Sequence, residues 1–135
     1  MIAIIPDILL LLFPFLMLAF KLFLTQAQTA HKNFAFAYLF ILLICQNFVL
    51  IGDTQVYFSN WQIDTFSIFM REIFTLSALL ALLLSENYFK HSMSEKPRLL
   101  HFSEFAAAIG FATFGGVAVV SANDLLTLFL GLELA

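Results

Sequence analysis

One acidic residue, Glu133, lies inside an apolar run that extends from Leu125 to Ala135. A charged side chain at the depth of a bilayer core costs roughly 2.5–3.5 kcal/mol or more, so acids at that depth are by default functional and most often move ions or protons. The alternative is a structural acid that a neighbour satisfies and that never changes its protonation. Because an unpaired acid in this position is costly, we predict that Glu133 is buried and acts in proton movement.

The composition predicts the surroundings of this acid. Of the 135 residues, 62% are hydrophobic and 11% are charged, and the mean hydropathy is +0.99, whereas about 25% of the residues of a soluble domain are charged. The chain is therefore predicted to be an integral membrane protein with the lipid bilayer as a partner. The net charge of −3 includes no basic cluster of the kind that binds nucleic acid. Cys45 is alone in an apolar run, which favours a small buried hydrophobe.

The apolar runs predict an all-α membrane fold with about five transmembrane helices. Counting about 20 residues per crossing places them at about 5–24, 34–51, 66–89, 102–120 and 123–135. The last helix would rise only about 20 Å, against a hydrocarbon core of about 30 Å. We therefore expect residues 1–135 to be the N-terminal transmembrane part of a longer subunit. Pro6 and Asp7 suit the first turn of the first helix, and Pro14 is expected to kink it.

The distribution of basic residues predicts the orientation. The second and fourth connections carry none, whereas the first and third are flanked by or contain Lys21, Lys32, Lys90, Lys96 and Arg98. By the positive-inside rule the N-terminus then faces outward, and Tyr57, Trp61 and Tyr88 suit the interfacial aromatic belts.

Several other charged residues have structural explanations. Glu104 is expected in the first turn of the fourth helix, where an acid stabilises the helix dipole by about 0.3–1 kcal/mol, and Asp124 is expected to cap the fifth helix. Arg71, beside Glu72, could contact a proton path or a lipid head group, but snorkelling of Arg71 to the outer interface explains it more simply. Glu86 could line a proton path, although its polar neighbours favour a solvated helix end.

The remaining polar and small residues give weaker signals. The histidines are expected to be solvated in or beside loops and have no metal-ligand spacing, namely His31, His91 and His101. Ala108, Ala112 and Gly116 recur at i, i+4 and i+8, which favours close approach of another helix. Such a stripe could border an ion path, but ordinary helix packing also explains it.

A specific motif covers the last part of the chain, in which residues 121–126 read Ser-Ala-Asn-Asp-Leu-Leu and residues 129–134 read Phe-Leu-Gly-Leu-Glu-Leu. With the preceding residues from Glu104 onward, it closely resembles the fourth and fifth helices of the subunit N family of respiratory complex I, the NADH:quinone oxidoreductase. The opening Pro-Asp-Ile-Leu-Leu at 6–10 is similar to the start of that family, and Asp64 with Phe66 and Phe69 is similar to the beginning of its third helix.

The resemblance implies a role for Glu133. In that family the matching glutamate is the functional acid of the fifth helix, and its partner is a lysine in a broken seventh helix, a position beyond Ala135. A carboxylate and an ammonium in low dielectric influence each other's proton affinity, so a change in their separation changes both. Glu133 would therefore help to control the protonation of that lysine.

The resemblance also implies the assembly. The sequence has no Gly-rich dinucleotide motif, no cysteine cluster and no nucleophile with a partnered base, so no cofactor is expected in this chain. NADH, flavin, iron–sulfur clusters and quinone are expected in partner subunits, with quinone met only indirectly.

The predicted function is that of a proton-translocating membrane-arm subunit of NADH:quinone oxidoreductase. It would lie in the bacterial inner (plasma) membrane with a periplasmic N-terminus, and other membrane subunits of the complex would be its partners. Two alternatives remain open. The first is an antiporter-like subunit of a cation/proton antiporter or a membrane-bound hydrogenase complex, and the second is a membrane scaffold in which Glu133 never titrates.

Overall fold

The computed structural model describes residues 4–23, 28–48, 55–57, 59–92 and 95–135, with side chains at 4–22, 31–47, 59–85 and 102–135. The described chain contains five helices and one β-hairpin. The helices are α1 (Ile5–Phe23), α2 (Gln28–Phe48), α3 (Thr65–Ser92), α4 (Glu95–Ser121) and α5 (Leu125–Leu134), and the strands are β1 (Gln55–Tyr57) and β2 (Trp61–Ile63).

Three helices are long and apolar enough to cross a membrane, over Ile5–Leu22, Thr65–Ser85 and Phe102–Ser121. The α5 helix is apolar but shorter. The predicted second crossing, 34–51, extends beyond the described residues, and α2 is not among the three. The all-helical membrane character predicted from the sequence is therefore confirmed, while five crossings are not.

The α4 helix is the centre of the bundle and packs against α1, α3 and α5. Its glycines allow the close approach of all three helices, and a Cβ atom added at Gly115 would lie 2.7 Å from the backbone carbonyl carbon of Leu134 in α5. A Cβ atom added at Gly110 would lie 2.7 Å from a ring carbon of Phe13 in α1, and one at Gly116 would lie 3.3 Å from the ring of Phe74 in α3. The predicted small-residue stripe is only partly a contact surface, because Gly116 is buried but Ala108 is exposed.

The connection between α2 and α3 forms an antiparallel hairpin that was not predicted from the sequence. Its register pairs Gln55 with Ile63 and Tyr57 with Trp61. The hairpin contacts the turn between α4 and α5, because β2 forms a bridge with Ala122 and the Asn123 amide donates to the Asn60 carbonyl at 2.9 Å. One end of the helical bundle is thus covered by a small sheet.

Two aspartates fix the starts of helices. Asp64 and Ser67 bond reciprocally at the start of α3, since each side-chain oxygen accepts from the other's backbone amide, at 2.7 and 2.9 Å. Asp124 is the N-cap of α5 and accepts from the Thr127 amide at 2.7 Å, which confirms the predicted cap. Because α4 begins at Glu95, Glu104 lies well inside it, and its predicted place in a first turn is wrong.

Candidate functional site

Glu133 lies on the side of α5 that faces away from α4. The two helices meet at Gly131, which is buried, and a Cβ atom there would lie 2.9 Å from the Val119 backbone nitrogen. Two residues along a helix turn the side-chain direction by about 200°, so Glu133 is directed away from this contact and is exposed. The expected burial of Glu133 is therefore not provided by the described helices, and its proton role stays a prediction.

The surface around Glu133 is almost entirely apolar. Large side chains of α5 are exposed on several sides of the helix, namely Leu125, Leu126, Leu128, Phe129, Leu130, Leu132 and Leu134. Exposed apolar surface of this extent on a helix is typical of contact with lipid or with further protein. Within the described span Leu125–Leu134, Glu133 is the only ionisable side chain, and it lies among these apolar residues.

A second cluster of charged residues lies at the opposite end of α1 from Lys21 and was not predicted as a site. Arg71 Nη2 of α3 lies 3.0 Å from Asp7 Oδ2 of α1, and the two side chains are 2% and 4% exposed. The predicted snorkelling of Arg71 to an interface is wrong, because its guanidinium is buried against this carboxylate. A buried charge needs such a partner, since an isolated one is very costly.

Neighbouring elements complete this ion pair. Arg71 Nη2 donates to Ser121 Oγ at the end of α4, at 2.7 Å, and Trp61 Nε1 of the hairpin donates to Asp7 Oδ2 at 3.0 Å. Trp61 also stacks on Phe114 with 6.3 Å between ring centroids. Trp61 was predicted to anchor at a membrane interface, and the structure in addition gives its indole N–H a buried partner. The cluster therefore ties α1, α3, α4 and the hairpin together.

Some buried polar atoms in and beside this cluster have no hydrogen-bond partner within the described chain. They are Asp7 Oδ1, Arg71 Nε, Gln46 Oε1 and Glu72 Oε1. Gln46 of α2 uses its amide nitrogen, which donates to Thr75 Oγ1 at 3.0 Å. An unpaired buried polar group costs about 1–3 kcal/mol, so each of these atoms is a place where water or a ligand group would be stabilised.

The other end of the bundle carries a more exposed set of charges. Lys21 of α1 forms an ion pair with Glu104 of α4. His31 is buried in α2, with Nδ1 3.4 Å from Ser103 Oγ, so its predicted solvation is wrong. The other side chains predicted to be solvated or interfacial lie outside those that the structure describes, namely Tyr57, Glu86, Tyr88, His91 and His101.

No family model matches the chain, but curated proteins do. It is 36% identical over 114 residues to NADH-quinone oxidoreductase subunit N of Heliobacterium modesticaldum. The aligned stretch covers 82% of this chain and 23% of that protein. It is also 40% identical over 84 residues to subunit N of Trichlorobacter lovleyi, covering 62% of this chain and 16% of that protein. The chain is homologous to subunit N of NADH-quinone oxidoreductase. The resemblance predicted from the sequence is thus confirmed.

Relatives of subunit N with other names also match. F(420)H(2) dehydrogenase subunit N of Methanosarcina mazei is 36% identical over 80 residues, which are 59% of this chain and 15% of that protein. The chain spans about a quarter or less of the length of the curated subunit N relatives described above. In the described part of this subunit N homologue, no group of three His, Cys, Asp or Glu side chains could hold a metal ion.

Proposed function

We propose that this chain is part of a membrane-arm subunit that couples electron transfer from NADH to quinone with proton translocation, and that Glu133 is the acid through which it does so. The supporting observation is the placement of Glu133. It stands on the face of α5 that α4 leaves uncovered, amid apolar side chains. Homology to subunit N supplies the oxidoreductase complex in which this face would be covered.

The proposed mechanism is electrostatic. In the full-length subunit, a lysine supplied by a later helix lies near Glu133, as in the family that the sequence resembles. Their interaction in low dielectric is strong, because the Coulomb energy of a pair rises as the dielectric constant falls. A movement that changes their separation changes both proton affinities. The Gly131 contact would keep α5 in a fixed position on α4 while such a movement takes place.

The redox reaction is proposed to take place in other subunits of the complex. We propose that NADH oxidation, flavin, iron–sulfur clusters and the quinone site belong to partner subunits, and that this chain meets quinone only indirectly. We propose a bacterial inner membrane as the location, and the distribution of lysine and arginine supports a periplasmic N-terminus in it. In that orientation the Asp7–Arg71 pair and the hairpin lie toward the periplasm, and Lys21 lies toward the cytoplasm.

The relatives favour a quinone-linked complex over the other assemblies. The curated proteins described above are named for NADH-quinone oxidoreductase and F(420)H(2) dehydrogenase, which supports an electron-transfer complex. We propose NADH as the electron donor because the longest of these matches is to a protein named for it. An antiporter-like subunit of a cation/proton antiporter or hydrogenase complex would share this fold, and assay of NADH oxidation by the purified complex separates the two.

The test of the proposal is Glu133→Gln in the full-length subunit, assembled in its complex. Inverted membrane vesicles report NADH oxidation and proton uptake together. We expect Glu133→Gln to lower the number of protons moved per NADH oxidised. The matched control is Asp124→Asn, an acid-to-amide change at the N-cap of the same helix, which keeps a good cap and is expected to leave the ratio unchanged.

Two outcomes would contradict the proposal. If the Glu133→Gln complex assembles normally and moves as many protons per NADH as the wild type, Glu133 is a scaffold residue that does not titrate. If Asp124→Asn lowers the ratio as much as Glu133→Gln does, the effect belongs to the position of α5 and not to the acid.

A further inference from the structure

An open groove of about 330 Å³ lies between the first turns of α1, the hairpin and α4. Its apolar wall is formed by Ile4, Ile8, Leu11 and Phe114. Ile4, which immediately precedes α1, and Ile8 and Leu11 of α1 recur at i, i+4 and i+7, so they form one stripe along this end of the helix. The groove therefore runs lengthwise along α1, in the direction that a lipid chain takes in a bilayer.

One end of the groove is polar. Asn60 and Trp61 of the hairpin line it together with Asp7. Trp61 is half-buried, and tryptophan is enriched at the level of the lipid head groups. Because α1 also begins here, at Ile5, this end of the groove lies at the membrane interface. The polarity of the groove thus matches that of a phospholipid, because it has a polar end at the interface and an apolar channel below it.

The Asp7 carboxylate is a polar group in the groove wall with unused hydrogen-bonding capacity. Its Oδ2 atom accepts from Trp61 and pairs with Arg71, but Oδ1 has no donor among the described residues, although the side chain is only 4% exposed. A carboxylate oxygen accepts hydrogen bonds and cannot donate them. The group that completes this site must therefore carry an N–H or O–H donor.

We propose that this groove binds a phospholipid whose head group carries a primary ammonium, with one acyl chain along the α1 stripe and the ammonium bonded to Asp7 Oδ1 directly or through one water. A primary ammonium has three N–H donors. The trimethylammonium of a choline lipid has none, so it can occupy the groove but cannot satisfy Oδ1. The bound lipid would hold the hairpin against α1 by filling the space between them.

The test is lipid retention by the full-length protein in its complex. The complex is placed in nanodiscs of mixed phosphatidylethanolamine and phosphatidylcholine with matched acyl chains, and retained lipid is measured by native mass spectrometry after detergent release. We expect ethanolamine lipid to be retained over choline lipid by about tenfold at this site, the ratio that corresponds to 1.4 kcal/mol. Hydrogen bonds to charged groups contribute about this much.

Two variants locate the lipid. Ile8→Trp places a large side chain in the groove, keeps both residues of the ion pair, and is expected to abolish the selective retention. The control Leu80→Trp places the same side chain on α3, where Leu80 is 51% exposed, as is Ile8, and is expected to retain lipid like the wild type. Asp7→Asn is expected to reduce the preference between the two head groups, and the Ile8→Trp result stands even if Asp7→Asn impairs folding.

Equal retention of both lipids by the wild type would overturn the proposal, as would unchanged retention by Ile8→Trp. Recovery of a quinone or of a protein segment in the groove, by crosslinking from position 8, would overturn it too. None of these outcomes depends on Glu133, so the lipid site and the proposed function succeed or fail separately.

Discussion

The buried ion pair between α1 and α3 predicts a large and non-additive loss of stability. Asp7 and Arg71 lie 3.0 Å apart with side chains 4% and 2% exposed. Replacing Arg71 by Met leaves the carboxylate buried without its counter-charge, and removal of one partner of such a pair costs about 3–5 kcal/mol. Asp7→Asn leaves the guanidinium in the same situation. The double variant has no unpaired charge, so it should lose less than the sum of the two single variants.

The expected size of this coupling follows from the geometry. Residues in direct contact show interaction energies of about 0.5–3 kcal/mol, and this pair belongs at the upper end because both side chains are almost fully covered. The matched control is Lys21→Met, which removes one charge of the half-exposed pair with Glu104. Its side chains are 25% and 50% exposed, and exposed pairs contribute only about 0–1 kcal/mol.

The assay is unfolding of the purified protein in detergent, followed by helical circular dichroism during titration with a denaturing detergent. All four variants are measured beside the wild type, and the double-mutant cycle gives the coupling energy. A loss for Arg71→Met no greater than that for Lys21→Met would refute the account of the pair. So would two single-variant losses that simply add in the double variant.

Three further predictions concern helix packing and helix ends. Gly131→Ala should destabilise α5 docking by about 1–3 kcal/mol, because its Cβ would meet the Val119 backbone at 2.9 Å; faster proteolysis in the 122–135 segment would show this. Gly116→Ala should cost less, because its Cβ would meet a movable ring at 3.3 Å, and equal losses in the two alanine variants would contradict the assigned packing. Asp64→Ala should cost about 0.5–2 kcal/mol through loss of the reciprocal bonds with Ser67, measured as a lower unfolding midpoint, whereas Asp64→Asn should retain most of the wild-type stability.

Features that depend on local sequence were predictable. The apolar runs gave the start of α1 at Ile5 and the start of α3 within one residue, because length and hydropathy decide where a helix enters a bilayer. The Asp124 cap was also predictable, because a cap is a local hydrogen bond between residues only three positions apart. The earlier start of α4, at Glu95, was missed because Lys96 and Arg98 were assigned to the third connection, and the intervening proline is tolerated in a first helical turn.

Features that depend on partners far apart in sequence were missed. Arg71 was assigned to an interface because snorkelling was the simplest explanation for a basic residue near the start of α3, whereas its partner Asp7 lies on α1. A search for opposite charges at the same expected depth on different helices would have found this pair, since charges inside a membrane pair with one another. The hairpin was missed because its strands have three residues each, too few to show an alternating pattern.

The position of Glu133 shows what sequence reasoning does and does not supply. The apolar run marked it as an isolated acid, and its role in proton movement stays a prediction. The sequence did not predict that Glu133 is left exposed by the described helices, because that exposure depends on α4 packing against the opposite side of α5, at Gly131.

The most direct test of the central claim is infrared difference spectroscopy of the full-length subunit in its complex, recorded between the oxidised state and the state reached with NADH and quinone. If Glu133 exchanges a proton during turnover, the wild type shows a carboxylic acid C=O band that changes between the two states, and Glu133→Gln lacks this band while Asp124→Asn keeps it. A wild-type difference spectrum without a carboxylic acid signal that depends on Glu133 would contradict the account.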